Sequence, residues 1–305
     1  MVRHRGRDPK IIWYEPGRHW VMAVYDEHAG KRWIAFYRSR DLKNWEFCSR
    51  IEGFYECPEL FALPIEGEEG QSRWIAYAAD GAYVVGQFDG QRFTVESGKH
   101  RYNFGNCFYA SQTFNNVPDG RRIQIAWGRV NFPGMPFNQM MTFPVELTLR
   151  RVGGRLRLCA RPVRELALLH SDRCTYGKLP LKQGQRLPLD APGRLWHILA
   201  RFSPGMAKRV GLSVRGVEVT VDVERRELRC AGQRAPLLGE MNGIELEILV
   251  DRGSIEIFAQ RGAVYIPIGV LMADRPPRLE AFAVGGNGTL EELTVWRVRS
   301  IWFGD

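Results

Sequence analysis

The sequence predicts an all-β protein in two parts, and three observations carry that prediction. From residue 8 to 163, short runs rich in Trp, Tyr, Phe, Ile and Val alternate with Gly, Asp and Asn turns, and helical periodicity is almost absent. The runs group in fours, and the groups restart at Asp8, Glu56 and Cys107, about 50 residues apart. After residue 170, alternating strands resume without that repeat, as in a second all-β domain of sandwich type.

The first group covers 8–15, 19–26, 32–39 and 44–50. The second covers 56–63, 73–79, 82–88 and 92–96, and the third covers 106–114, 122–129, 141–150 and 155–160. Related phrases recur inside them: Arg32-Trp33-Ile34-Ala35-Phe36, Arg73-Trp74-Ile75-Ala76-Tyr77 and Arg122-Ile123-Gln124-Ile125-Ala126. Four strands per period of that length is the mark of a β-propeller blade, although the strands of a sandwich can mimic the spacing. Propellers close with about 4 to 8 blades, and three groups fall short of that. Residues 161–170 (RPVRELALLH) predict a short connecting helix. Later strands are expected at 195–202, 210–214, 218–222, 245–251, 254–259, 279–284 and 290–298. The domain boundaries expected are therefore 1–163, 164–170 and 171–305, with the last part bracing its neighbour.

With 43 Lys and Arg against 34 Asp and Glu, the chain carries a net charge of +9. Its densest basic stretch, Arg150 to Arg164, alternates with apolar residues as one solvated strand face does, so no nucleic-acid partner is expected. No run approaches the ~20 apolar residues of a membrane-spanning helix, so no membrane partner is expected. Residues 1–10 hold no apolar signal core, which leaves localisation open. The six cysteines have neither C-x-x-C pairing nor zinc-finger spacing and read as free thiols buried in strands, with no metal site.

Asp8 and Glu56 stand at equivalent places, each at the start of the first strand of its group. In a propeller that strand lines the central channel, so both carboxylates converge there. Paired carboxylates suit glycoside cleavage, where one acid protonates the leaving oxygen and negative charge stabilises an oxocarbenium-like transition state. Spacing alone equally permits two turn carboxylates, or a simple Asp8–Arg7 pair.

Arg7-Asp8-Pro9-Lys10, Ser39-Arg40-Asp41-Leu42-Lys43-Asn44-Trp45, Glu56-Cys57-Pro58-Glu59-Leu60-Phe61, Phe88-Asp89-Gly90 and Phe108-Tyr109-Ala110-Ser111-Gln112-Thr113-Phe114 together resemble glycoside hydrolase family 32, the levanases, inulinases and invertases. The resemblance covers nearly the whole chain. It implies an incomplete five-bladed β-propeller of about three blades followed by a C-terminal β-sandwich, and a fructan or sucrose-like carbohydrate as substrate. It also implies that Glu56 is the general acid/base, with a pKa raised towards neutrality, and that Asp8 is the transition-state stabiliser. Arg7, Cys57, Tyr109, Gln112 and Trp127 would bind substrate. No cofactor is implied, because proton transfer and carboxylate electrostatics suffice.

Departures from the family pattern shape the expectation further. Glu59 stands where Asp is common. The family's nucleophilic aspartate lies in a W-M-N-D-P-N-G-like motif, and nothing in the 305 residues matches it. The chain is therefore expected to be a truncated hydrolase with little activity alone, which self-associates or needs a missing N-terminal fragment. The alternative is a non-catalytic fructan-binding protein.

Overall fold

The computed structural model describes residues 6–272 and 275–301, and these form an all-β protein. The first sheet is an antiparallel meander in chain order, β1 (Arg7–Tyr14), β2 (His19–His28), β3 (Lys31–Ser39) and β4 (Glu46–Glu52). The second repeats the plan with β5 (Glu59–Pro64), β6 (Ser72–Tyr77), β7 (Ala82–Phe88) and β8 (Phe93–Arg101). A third contains β9 (Phe108–Thr113), β10 (Arg122–Gly128), β11 (Met140–Met141), β12 (Val145–Val152) and β13 (Arg155–Pro162). In it β9 and β11 both pair with β10, and β12 lies between β10 and β13.

The strand β2 reads V-M-A-V-Y without polar alternation because both faces of its sheet are apolar. Val21 and Ala23, with Ile34 and Phe36 of β3, pack on Leu60, Ala76, Val84 and Phe88 of the second sheet. The opposite face carries Met22, Val24, Ala35 and Tyr37 with Ile11 and Trp45.

The chain divides into two compact units, one of residues 1–102, 108–127 and 146–158, the other of 103–107, 128–145 and 159–305. The second unit contains a seven-stranded and a six-stranded antiparallel sheet. Both contribute to one core, for example Ile198, Ile248 and Ile257 from the first with Val210, Val219 and Ala281 from the second. Among the described residues no helix is long and apolar enough to cross a membrane.

Several elements differ from the sequence expectation. The connector is a six-residue 3-10 turn, Arg164–Leu169, because β13 runs on through Pro162 and Val163 offers no side-chain cap. The expected strand 141–150 is broken, with Pro144 between β11 and β12 unable to donate to a ladder. The second group begins pairing at Glu59, since Glu56 and Cys57 are both left-handed (φ 56° and 42°) and leave the pleated path. Among the described residues six further strands occur after residue 169, four of them only three or four residues long and one, Val264–Gly269, apolar throughout its buried length. All six cysteines are free, but only Cys107, Cys159 and Cys230 are buried.

Candidate functional site

The cluster around Glu56 is built within the first unit from three segments: the start of β1, the turn before β5 and the start of β9. Arg7 directs two nitrogens at one Glu56 oxygen, Nε at 3.1 Å and Nη2 at 2.6 Å from Oε1. The hydroxyl of Tyr109 donates to the other oxygen, Oε2. Arg7 also donates to the Tyr55 hydroxyl at 3.3 Å and lies over the Tyr25 ring, 4.6 Å from its centroid. Asp8 turns the other way: its Oδ2 accepts the Cys57 backbone N–H at 3.2 Å and the Cys57 thiol at 3.7 Å. The Asp8 and Arg7 side chains are 4.0 Å apart, so the alternative Asp8–Arg7 pair is present as the weaker of the two ion pairs of Arg7.

The local backbone is arranged to make these contacts. Asp8, Glu56, Cys57 and Ala110 all have positive φ, between 42° and 59°, without being glycine. Such conformations cost roughly 1–3 kcal/mol each and persist only where the surroundings enforce them. Ala79 supplies part of that enforcement, donating its N–H to the Glu56 carbonyl and accepting from the Ala110 N–H, each at 3.0 Å.

Glu56 is partly buried, with 21% of its side chain exposed. Sequence reasoning expected its pKa to be raised, and the structure reverses that. The Tyr109 hydroxyl and the Arg7 guanidinium together outweigh burial and hold the carboxyl below its ordinary value. Burial and the neighbouring Asp8 push the Cys57 thiol up to about 12, so it stays protonated. The Tyr109 phenol is raised by burial and by its bond to Glu56.

Of the remaining expected residues, Trp127 packs edge-on against Tyr109, with centroids 6.2 Å apart, and is 40% exposed. Gln112 is exposed and its amide turns onto the Ser111 carbonyl at 3.1 Å, one position out of phase with buried Ser111 and Thr113. Sequence reasoning overlooked Tyr25 and Tyr55, although Tyr55 directly precedes Glu56. It also overlooked a buried network in which Gln124 donates to the Tyr77 hydroxyl at 2.6 Å beside Ser111. Among the described residues no group of three or more His, Cys, Asp and Glu side chains is arranged to hold a metal ion.

Comparisons with known proteins identify the family. A levanase from Bacillus subtilis (strain 168) is 29% identical over 97% of this chain and 51% of its own length. A sucrose-6-phosphate hydrolase from Zymomonas mobilis is 25% identical over 96% of the chain and 66% of its own. The chain thus spans about half to two-thirds of these relatives. Among solved structures, exo-inulinase from Aspergillus awamori superposes with a TM-score of 0.84 at 20% identity, covering 97% of this chain and 68% of that one. Fructofuranosidase from Schwanniomyces occidentalis, complexed with fructose, gives 0.82 at 22% identity, covering 97% and 71%. Residues 2–162 match the family description "Glycosyl hydrolases family 32 N-terminal domain" and residues 168–297 match "Glycosyl hydrolases family 32 C terminal". With both descriptions matched in order along nearly its whole length, the chain belongs to glycosyl hydrolase family 32.

Proposed function

We propose that the chain carries the fructosyl-binding and acid/base side of a β-fructofuranoside hydrolase site, of the kind used by retaining glycosidases on levan, inulin or sucrose. In this reading the three meanders are blades of a five-bladed propeller, and the domains run 1–163 and 171–305 with a linker at 164–170. Glu56 protonates the leaving oxygen and then activates water, and Asp8 holds fructosyl hydroxyls and stabilises positive charge at the anomeric carbon. Arg7 and Tyr109 orient Glu56, while Cys57, Gln112 and Trp127 border the sugar. The observation that carries the reading is the meeting of Asp8 of β1 and Glu56 of the turn before β5, 48 positions apart, through Arg7 and the Cys57 N–H.

Without a W-M-N-D-P-N-G-like nucleophile among the 305 residues, the covalent intermediate of double displacement has no acceptor within the chain. The chain alone therefore turns over little, and it either associates with itself or needs an N-terminal fragment; of the two, only a fragment bearing the nucleophile restores turnover, since a second copy lacks it too.

One observation favours a second reading, a fructan-binding protein without catalysis. Arg7 and Tyr109 keep Glu56 ionised, which suits a hydrogen-bond acceptor for sugar hydroxyls better than an acid. Calorimetry with a fructose oligomer tests what the two readings share. Both predict binding that Asp8→Ala weakens at least tenfold, and a folded chain that binds no oligomer contradicts both.

A further inference from the structure

Two to four residues along from Asp8, Glu56 and Tyr109, the same three segments meet again through Lys10, Glu59 and Thr113. Glu59 has no exposed surface. Its Oε1 lies 2.9 Å from Lys10 Nζ and accepts the Thr113 N–H at 2.9 Å, and its Oε2 accepts the Thr113 hydroxyl at 2.7 Å. Lys10 Nζ closes the ring by donating to the Thr113 carbonyl at 2.7 Å. Arg122 stands outside it, 3.4 Å from the Thr113 hydroxyl and over the Phe61 ring.

The strands joined in this ring belong to three different sheets, so ladder hydrogen bonds set none of their mutual positions. Between the second and third sheets the backbone of Ala79 also ties Glu56 to Ala110. For β1 the polar ties are side-chain contacts, those of Arg7 to Glu56, of Asp8 to the Cys57 N–H and of Lys10 to Glu59 and Thr113, beside the packing of Ile12 and Tyr14 on the core shared with the second sheet. Arg7 and Asp8 are substantially exposed at 42% and 34% of their side chains, whereas Lys10 is 11% exposed and its partner Glu59 fully buried. A buried, multiply bonded charge pair has one good geometry and resists displacement, while an exposed pair has many. We infer that Lys10 and Glu59 are positioning residues that hold β1 in register, so that Arg7 and Asp8 reach Glu56 and its turn. Lys10 anchors β1, and Glu59 joins that anchor to β9 through Thr113.

This inference rests on the functional reading above only for its consequence; its test reads geometry. The double variant Lys10→Met with Glu59→Gln removes both charges of the pair together, Arg122 keeps its hydrogen bonds to the Phe114 carbonyl and Asn115, and Gln still matches the N–H and hydroxyl of Thr113. The β5–β9 link is thereby kept and the link to β1 is cut. Carbon-13 NMR of the Glu56 carboxyl across an acid titration is the readout. The expected result is a folded protein in which the Glu56 midpoint rises by most of the rise seen in Arg7→Met, because Arg7 no longer reaches it. A purely structural pair would lower the melting temperature and leave that midpoint alone. An unchanged midpoint in the folded double variant overturns the inference. So does a double variant that fails to fold, since groups that only position β1 are not needed for the fold. Absence of oligomer binding by the unaltered chain would instead overturn the functional reading and leave this one standing.

Discussion

Arg7 places two nitrogens on a single oxygen of Glu56, at 3.1 and 2.6 Å, and leaves the other oxygen to the Tyr109 hydroxyl. A carboxylate so provided with donors is ionised in the folded chain at a pH where it would ordinarily begin to protonate.

Replacement Arg7→Met therefore raises the Glu56 titration midpoint, measured by carbon-13 NMR. The sign for stability follows from a folded value lying below the ordinary 4.5. The contribution of Glu56 is present above that pH and is lost as acid carries the pH down through the folded value. Arg7→Met shrinks this acid-side loss, and a variant with an unaltered Glu56 midpoint would contradict the assignment.

Cys57 is held as a thiol by burial and by Asp8, with a pKa of about 12. Iodoacetamide at pH 8 should alkylate it at least 100-fold more slowly than free cysteine, for which the ordinary thiol value is about 8.5. Mass spectrometry of the labelled peptide checks this. Labelling at the rate of free cysteine would mean that neither the burial of Cys57 nor its Asp8 contact holds in solution.

The face of the first sheet turned away from the second bears Ile11, Met22, Tyr37 and Phe47 in one row across all four strands, with Trp13 beside Trp20. Trp13 and Phe47 remain 43% and 49% exposed. Exposed apolar faces drive association, and the self-association proposed above would use this one. Light scattering should give a mass above the 35.0 kDa of one chain, reduced towards it in Phe47→Glu. Equal masses for both proteins would exclude this face from the contact.

Glu256 lies in the second unit with no exposed surface, accepting the Phe143 N–H at 2.9 Å and the Tyr265 hydroxyl at 2.6 Å. Burial pushes its carboxyl up to about 7 from an ordinary 4.5. The folded chain binds this proton more tightly, so the associated stability is complete below pH 4.5 and is lost as the pH rises through 7. The amount is on the order of 3 kcal/mol. Glu256→Gln should flatten the melting temperature between pH 5 and about 8, and an unchanged slope would rule Glu256 out as its source.

Much of this architecture was legible in the sequence because its signals are local. Strand periodicity and turn residues mark β1 to β4 within two residues of their observed starts, whereas the equivalence read into Asp8 and Glu56 holds only loosely, Asp8 lying in β1 and Glu56 three residues before β5. What was not legible depends on contacts between distant segments. The left-handed turn at Glu56 and Cys57 has no glycine to announce it, and Tyr25 reads as one more strand aromatic until Arg7 is seen over its ring. The direction of the Glu56 shift was misread for the same reason: burial was foreseeable from the motif, whereas two donors from β1 and β9 were not. Glu59 was noticed only as a departure from a family pattern, and its ring with Lys10 and Thr113 exists only once three sheets are placed together.

In the function proposed above, the 305-residue chain holds the acid and the stabiliser of fructoside cleavage but not the group that accepts the fructosyl unit. Fructose release from levan, inulin and sucrose by the purified chain tests it most directly. Release no greater than that of Glu56→Gln is expected; release that Glu56→Gln abolishes would refute the proposal.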